Sequence, residues 1–312
     1  MKHKRIVVLG GAGFVGRHLV NLLAEREREV VVVTRARERA KSLFMLPRVE
    51  IRELDPRDST ALAIAARGAD ALINLVGILN PANEASFTGV HVGVLDSAIR
   101  ACRSNGISRL LQLSSLNADA KGPSAYLRSK GEAEAKVVAS GLAWTIFQPS
   151  VLFGPEDRFL NTAATVLKLM PVIFLPGAAA RFQPLYVHDV VAAIAGALDD
   201  DGAIGERYPL CGPNVYTLRE LWRYVATVIG VRRAIIGVPN SVGQAQAWVL
   251  EHLPGRMLTR DNLASMRVDS VCSCPWPARF GGPPRAMESV VPAYLSGASK
   301  LSRFSVYRRR HR

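Results

Sequence analysis

The stretch RIVVLGGAGFVGRHLV, residues 5–20, limits the fold of this chain more than any other. An apolar run, Ile6–Leu9, stops at a glycine, and Phe14, Leu19, Leu22 and Leu23 then recur at helical spacing. A strand that turns at once into a helix needs backbone conformations that glycine adopts with least strain. Gly10 allows the tight turn, Gly13 lets the backbone approach a pyrophosphate, and Gly16 lets the helix pack close to the sheet. The helix N-terminus then faces the anion, and Phe14 and Val15 there are assigned to the same ligand. Three glycines alone are a weak signal. Here they open a strand–helix–strand unit of the right length, which makes them a dinucleotide fingerprint.

The rest of the first half keeps the same rhythm. Short β-branched runs at Val30–Val33, Val49–Arg52, Ala71–Val76, Leu110–Leu113 and Trp144–Phe147 alternate with longer helical patterns. The runs are almost continuously apolar, as strands covered on both faces require. The expected fold class is α/β, a Rossmann-type doubly wound parallel sheet with a smaller C-terminal substrate region. Beyond Gln148-Pro149 the alternation fails and prolines and glycines become frequent. Residues 188–200 again read as a helix and ERYPLCG as a strand, and both are expected to return to the sheet. The dinucleotide-binding core is therefore placed at 1–150 plus about 186–211, and the smaller region at about 151–185 and 212–295. Residues 296–312 form a basic tail, with five arginines in the last eleven residues.

Composition narrows the partners. In 312 residues, 49 % are apolar, so a large core can form. The formal net charge of +14 favours anionic partners: a phosphorylated cofactor, nucleic acid or an acidic lipid surface. No basic motif interleaved with aromatics supports nucleic acid, and none is expected as a partner. Cys102 and Cys211 lie in apolar contexts and read as buried free thiols. Cys272 and Cys274 lack a second ligand pair, so no metal is expected. The cysteine pattern suits a reducing compartment. The longest mostly apolar stretch, residues 163–177, is interrupted by Lys168 and Pro171 and is too short to span a bilayer. The expectation is a cytoplasmic protein, peripheral to the inner membrane if it touches one.

The end of the second strand distinguishes two cofactors. A carboxylate there would hold a ribose 2′-hydroxyl, but the sequence reads VVVTRARERAKS. Thr34, Arg35 and Arg37 stand where that ribose would lie, and arginine suits bidentate phosphate recognition. NADP(H) is therefore preferred over NAD(H), with Arg35 on the 2′-phosphate. Asp55, after the third strand, is placed to meet the adenine amino group. Asn74 and Gly77 end the fourth strand near the pyrophosphate and ribose. Tyr126 and Lys130 share one face of a later helix. A phenol beside a cation is pulled toward phenolate.

The Gly10-x-x-Gly13-x-x-Gly16 fingerprint, Asp55, the Ser114-Ser115 strand end and Tyr126-x-x-x-Lys130 together resemble an extended or atypical short-chain dehydrogenase/reductase of the epimerase/dehydratase-like type. The phrases FQPSVLFGPEDRF, FQPLYVHDVVAAI, GPNVYTLREL and LPGRMLTRDNL look most like bacterial relatives of the NADPH-binding accessory subunit of mitochondrial complex I. The resemblance runs from about residue 4 to residue 295.

The resemblance implies that Lys130 binds the nicotinamide ribose and that Tyr126 is the general acid/base. Ser114 and Pro149 join the cofactor contacts. The family's catalytic hydroxyl falls on Leu116, which leaves Ser115 as its substitute, and the supporting asparagine falls on His91. The loss of such donors implies weak or no turnover, in a protein linked to respiratory or quinone-related redox metabolism. Two enzymatic alternatives stand beside it. One is an NADPH-dependent reductase or dehydrogenase acting on an apolar carbonyl or quinone, with His91 as proton relay. The other is a nucleotide-sugar epimerase or dehydratase. A membrane-associated protein partner, or acidic lipid contacted by the basic tail, completes the expected partners.

Overall fold

The computed structural model describes residues 2–80, 86–252 and 258–296. The predicted basic tail, apart from Ser296, lies outside the described residues. The chain divides into two compact units: residues 1–149, 187–210 and 272–282 form the first, and 150–186, 211–271 and the residues from 283 onward form the second.

The apolar runs of the first unit become β1 (Arg5–Leu9), β2 (Glu29–Thr34), β3 (Val49–Glu53), β4 (Ala71–Asn74), β5 (Arg109–Leu113) and β6 (Ala143–Pro149). A further strand, Glu206–Leu210, pairs with β6. The spatial order is Glu206–Leu210, β6, β5, β4, β1, β2, β3, and every pairing is parallel. Residues Ile6 to Leu9 and Val30 to Val33 are each at most 1 % exposed, the signature of strands covered on both faces. The covering helices are α1 (Phe14–Glu25), α2 (Ser59–Ala65), α3 (Phe87–Ser104) and α4 (Ala125–Val138), with Val187–Ala197 beside α1. Leu62, Leu95 and Val137 from α2, α3 and α4 join Val7, Val31 and Leu110 in one core layer. On β3 the continuous apolar run gives way to alternation with Glu50 and Arg52, as suits an edge strand. The expected Rossmann-type doubly wound sheet is thus the fold of this unit. Strand order reverses between β1 and β4, so a crevice opens at their C-terminal ends, where such sheets bind ligands.

Arg109 is buried at the bottom of β5, 2 % exposed. Its guanidinium donates to the carbonyls of Ala143 (2.7 Å), Ala197 (2.6 Å) and Leu198 (3.4 Å) and to Thr145 Oγ1 (2.8 Å). Two of these carbonyls belong to the C-terminal end of helix Val187–Ala197, whose dipole favours a cation. Burial still lowers its pKa, to about 10. Arg109 therefore staples that helix to β5 and β6.

The second unit has three short two-stranded pairings: Leu152–Phe153 with Leu185–Tyr186, Arg181–Phe182 with Tyr216–Thr217, and Val172–Pro176 with Ala234–Val238. Helices Phe159–Leu169, Leu218–Val228, Asn240–His252, Arg260–Ser265 and Met287–Leu295 accompany them. Thr217 and Glu220 form a reciprocal capping box at the second of these. In the greasy stretch, Ile173 and Leu175 point inward while Val172 and Phe174 point out. Across the ribbon Ile236 pairs with Phe174 and is also exposed.

The cysteines require a correction. Cys102 is a buried free thiol, and burial pushes its pKa up to about 12. Cys211, read from the sequence as a second free thiol, is disulfide-bonded, as is Cys272. An apolar neighbourhood marks a thiol as buried but carries no information about pairing, which the fold decides.

Candidate cofactor site

The glycine turn is built as the spacing requires. Gly10 has φ +77°, in the left-handed region, and a Cβ there would stand 3.2 Å from the backbone of Leu75 and Val76. The β1–α1 turn therefore lies directly against the chain leaving β4. A Cβ on Gly16 would sit 2.3 Å from Gly10 O and 2.5 Å from Gly11 Cα, all rigid backbone. Gly13 is the N-cap of α1, contributes no side-chain cap, and no acid occupies the first turn. Phe14 and Val15 begin the helix, so its first amides have no intrahelical partners and face the crevice mouth.

At the end of β2, Thr34 is buried and bonds locally, its hydroxyl 3.1 Å from Ala36 O. Arg35 is exposed. Arg37, also exposed, lies over the Phe44 ring at 5.4 Å as it enters the 3₁₀ segment Arg37–Leu43. Asp55 receives a bidentate fork from Arg57, Nε to Oδ1 at 3.1 Å and Nη2 to Oδ2 at 2.6 Å, plus the Arg57 amide at 3.0 Å. The Arg57 fork, with Arg35 nearby, holds its carboxyl below the usual range. Arg35 and Asp55 are thus electrostatically coupled at the outer end of the crevice.

Nearer the centre, Asn74 is 1 % exposed and its amide is spent on structure. It donates to Gln112 Oε1 at 2.9 Å and accepts from Val76 N at 3.1 Å, which shapes the chain leaving β4. A ligand would therefore meet backbone here. A Cβ on Gly77 would come 3.2 Å from Lys130 Nζ. Lys130 is 4 % exposed and donates to Leu113 O at 3.3 Å. Burial lowers its pKa to about 8, against an opposing pull from Glu134. Glu134 is itself buried and is held by Gln148 (2.9 Å) and Arg207 (3.3 Å). Ser114 Oγ is buried with no hydrogen-bond partner. An orphaned hydroxyl next in the chain to the carbonyl that holds a buried ammonium fits a ligand rich in hydroxyl oxygens. Pro149 closes β6, and its carbonyl accepts the Leu116 amide at 2.9 Å.

Tyr126 and Lys130 lie one turn apart on α4, whose N-cap Ser124 accepts from Leu127 N at 3.1 Å. Burial raises the Tyr126 pKa, and a hydrogen bond with the Ser115 hydroxyl opposes the rise. The structure thus brings Ser115, and not the buried Leu116, to the tyrosine. Asn117 follows with φ 62°, and Ala118 N bonds Ser115 O at 3.2 Å. This tight turn directs the serine hydroxyl toward α4. His91 is 2 % exposed, and its imidazole meets the Tyr126 ring edge-on at 5.7 Å. Ser129, not among the residues picked out by spacing, lies 2.8 Å from His91 Nδ1. Its place three residues after Tyr126 was the available signal.

The pattern of a family described as NAD(P)H-binding matches residues 10–165, half of the chain. The chain is 35 % identical over 249 residues to NADH dehydrogenase (ubiquinone) 1 alpha subcomplex subunit 9, mitochondrial, from Arabidopsis thaliana, covering 77 % of this chain and 61 % of that protein. Thus it spans about three fifths of that relative's length. It is 26 % identical over 243 residues to a ceramide reductase of Caulobacter vibrioides, covering 75 % and 74 %. Among solved structures, an NADPH-dependent quinone oxidoreductase from Escherichia coli complexed with NADPH superposes with a TM-score of 0.73 at 20 % identity, covering 92 % and 98 %. That likeness is one of fold.

Proposed function

The chain belongs to the NAD(P)H-binding family, and we propose that it binds NADP(H) in the β1/β4 crevice with weak or no turnover, as a component of respiratory or quinone-related redox metabolism. The observation that carries the binding reading is the orphaned Ser114 hydroxyl, next in the chain to the Leu113 carbonyl that buried Lys130 binds. Ser114 and Lys130 would hold the nicotinamide ribose, the α1 amides the pyrophosphate, Arg35 the 2′-phosphate and Asp55 the adenine edge. When bound, the nicotinamide supplies hydride chemistry. The chain's own residues orient it and exclude water.

Weak turnover is supported by the state of the Tyr–Lys pair. Burial moves Tyr126 upward, which holds the phenol protonated, and moves Lys130 downward to about 8, which narrows the pH range over which its cation can draw that proton. A second reading, an NADPH-dependent reductase on an apolar carbonyl or quinone, is favoured by one observation: the Ser115–Tyr126 hydrogen bond supplies a second hydroxyl.

The relatives named as subunits of a mitochondrial NADH dehydrogenase support a membrane-associated protein partner. The exposed apolar ribbon face of Phe174 and Ile236 offers such a partner a surface. The proposed site of action is cytoplasmic, peripheral at the inner membrane; no helix among the described residues is long and apolar enough to cross one. Titration with NADPH and NADH, then assay of NADPH oxidation against quinones and ketones, tests the proposal. The expected result is NADPH binding weakened at least tenfold in Arg35→Ala, with little oxidation. Equal affinity for both cofactors, unchanged in Arg35→Ala, sinks the NADP(H) preference. Turnover that vanishes in Tyr126→Phe sinks the low-turnover reading in favour of the enzyme.

A further inference from the structure

His91 occupies the second turn of α3, where three parts of the site meet. Its Nε2 lies 3.1 Å from the Ile78 amide, its Nδ1 lies 2.8 Å from Ser129 Oγ, and that oxygen lies 2.8 Å from the Tyr126 carbonyl. The donors assign themselves. A backbone amide only donates, so Nε2 accepts from Ile78. A neutral ring must then carry its proton on Nδ1 and donate to Ser129 Oγ. Ser129 passes its own hydrogen to the Tyr126 carbonyl. Burial and the neighbouring Lys130 hold the imidazole neutral, with a pKa lowered to about 3.

Both ring nitrogens are thus committed, and one partner is an amide that cannot serve as an acid. A proton relay through His91, the alternative drawn from the sequence, has no entrance on the Ile78 side. What the chain of bonds does instead is mechanical. Ile78 follows Gly77, whose Cα stands so near Lys130 Nζ that an added Cβ would be 3.2 Å from it. The tether therefore sets how far the backbone after β4 stands from the ammonium. Its other end fixes the turn of α4 that carries Tyr126 and, four residues on, Lys130. Tilted packing against Phe87 at 5.9 Å and edge-on packing against Tyr126 at 5.7 Å hold the ring between them.

We propose that His91 is a positioning residue, linked through Ser129, that locks the β4 exit loop to the Tyr126–Lys130 helix so that the two walls around the nicotinamide ribose move as one. The proposal rests on the NADP(H)-binding reading for its consequence, but the tether exists in the free protein.

The test uses the full chain with His91→Phe, Ser129→Ala and the double variant. Hydrogen exchange of the peptide containing Ile78 reads the tether directly. Protection in the wild type should fall at least tenfold in either single variant and no further in the double. NADPH affinity should weaken about tenfold in each single variant. In the double variant it should weaken by about the same factor, because breaking one chain twice costs no more than once. Ser129→Ala removes a single oxygen and keeps the test available if His91→Phe does not fold. Unchanged Ile78 exchange in Ser129→Ala overturns the tether, as does an unchanged NADPH affinity alongside a lowered melting temperature, which marks mere support of the fold. Multiplicative losses in the double variant also overturn it. If the wild type protects Ile78 as expected yet binds no NADPH, the cofactor reading fails and the tether stands.

Discussion

Replacing Lys130 with methionine should stabilise the free protein while it weakens cofactor binding. Lys130 is 4 % exposed, and burial takes its pKa from 10.5 to about 8. At about 1.4 kcal/mol per pKa unit, keeping the ammonium charged in the fold costs roughly 3 kcal/mol. Methionine keeps most of the packing and removes that cost. Against this stands one hydrogen bond to Leu113 O, long at 3.3 Å. Its loss costs about 1 kcal/mol, and Leu113 O keeps a second donor in Gln112 Nε2 at 3.0 Å. Glu134 keeps Gln148 and Arg207. The net expectation is a gain of roughly 1–2 kcal/mol, or about 1.5–3 °C in melting temperature for a 312-residue protein.

The pH dependence identifies the cause. Because the folded pKa lies below the unfolded one, the native protein sheds the proton above about pH 8 while the unfolded chain keeps it to about 10.5. Wild-type stability therefore rises through that window relative to Lys130→Met. The difference between the two should be full below pH 8 and fade as pH approaches 10.5. Thermal melts of both proteins without cofactor, from pH 7 to 10, read this directly, and NADPH titration at pH 7 should show at least a tenfold loss for the variant. A Lys130→Met protein that is less stable at pH 7, or a stability difference that does not change with pH, would refute the reasoning.

Three further outcomes follow from the same geometry. Ser114→Ala removes a buried hydroxyl that has no partner; it should raise the stability of the free protein by about 1 kcal/mol and weaken NADPH binding, as thermal melts and titration would reveal. Gly16→Ala places a Cβ 2.3 Å from Gly10 O, against backbone that cannot yield; a loss of about 3 kcal/mol or more is expected in denaturant unfolding, with no cofactor binding. Arg109→Met leaves the carbonyls of Ala143, Ala197 and Leu198 without their buried donor. It should lower stability by about 2–4 kcal/mol, and an unchanged melting temperature would discredit the staple.

What could be read in advance depended on how local the cause was. The strands of the main sheet and the glycine turn follow from side-chain period and backbone sterics, which a short stretch carries in full. Asp55 was legible as a strand-end carboxylate, but not its fork with Arg57 two residues on. Asn74 illustrates a harder limit. Its position at a strand end suggested a ligand contact, yet its amide is consumed by Gln112, a partner 38 residues away. Ser129 and the disulfide of Cys211 belong to the same class, since their meaning lies in residues the chain brings together only after folding.

The Tyr126–Lys130 pair explains why spacing alone could not decide turnover. At four residues apart, the two side chains were bound to share a helix face. A phenol loses its proton readily only if the nearby cation is charged and the phenolate is solvated or hydrogen-bonded. Here the same burial acts on both and pushes each toward its own neutral form, Tyr126 upward and Lys130 down to about 8. The Ser115 hydroxyl counters it at the tyrosine. A dinucleotide brings negative phosphates toward Lys130 and so favours its charged form. Binding should therefore take up protons above about pH 8. Calorimetric titration with NADPH at pH 8.5 in buffers of different ionisation enthalpy measures that uptake. Proton uptake that is absent in Lys130→Met but present in Tyr126→Phe would assign it to the lysine and make the pair a cofactor anchor first. Equal uptake in Lys130→Met would remove Lys130 from the site.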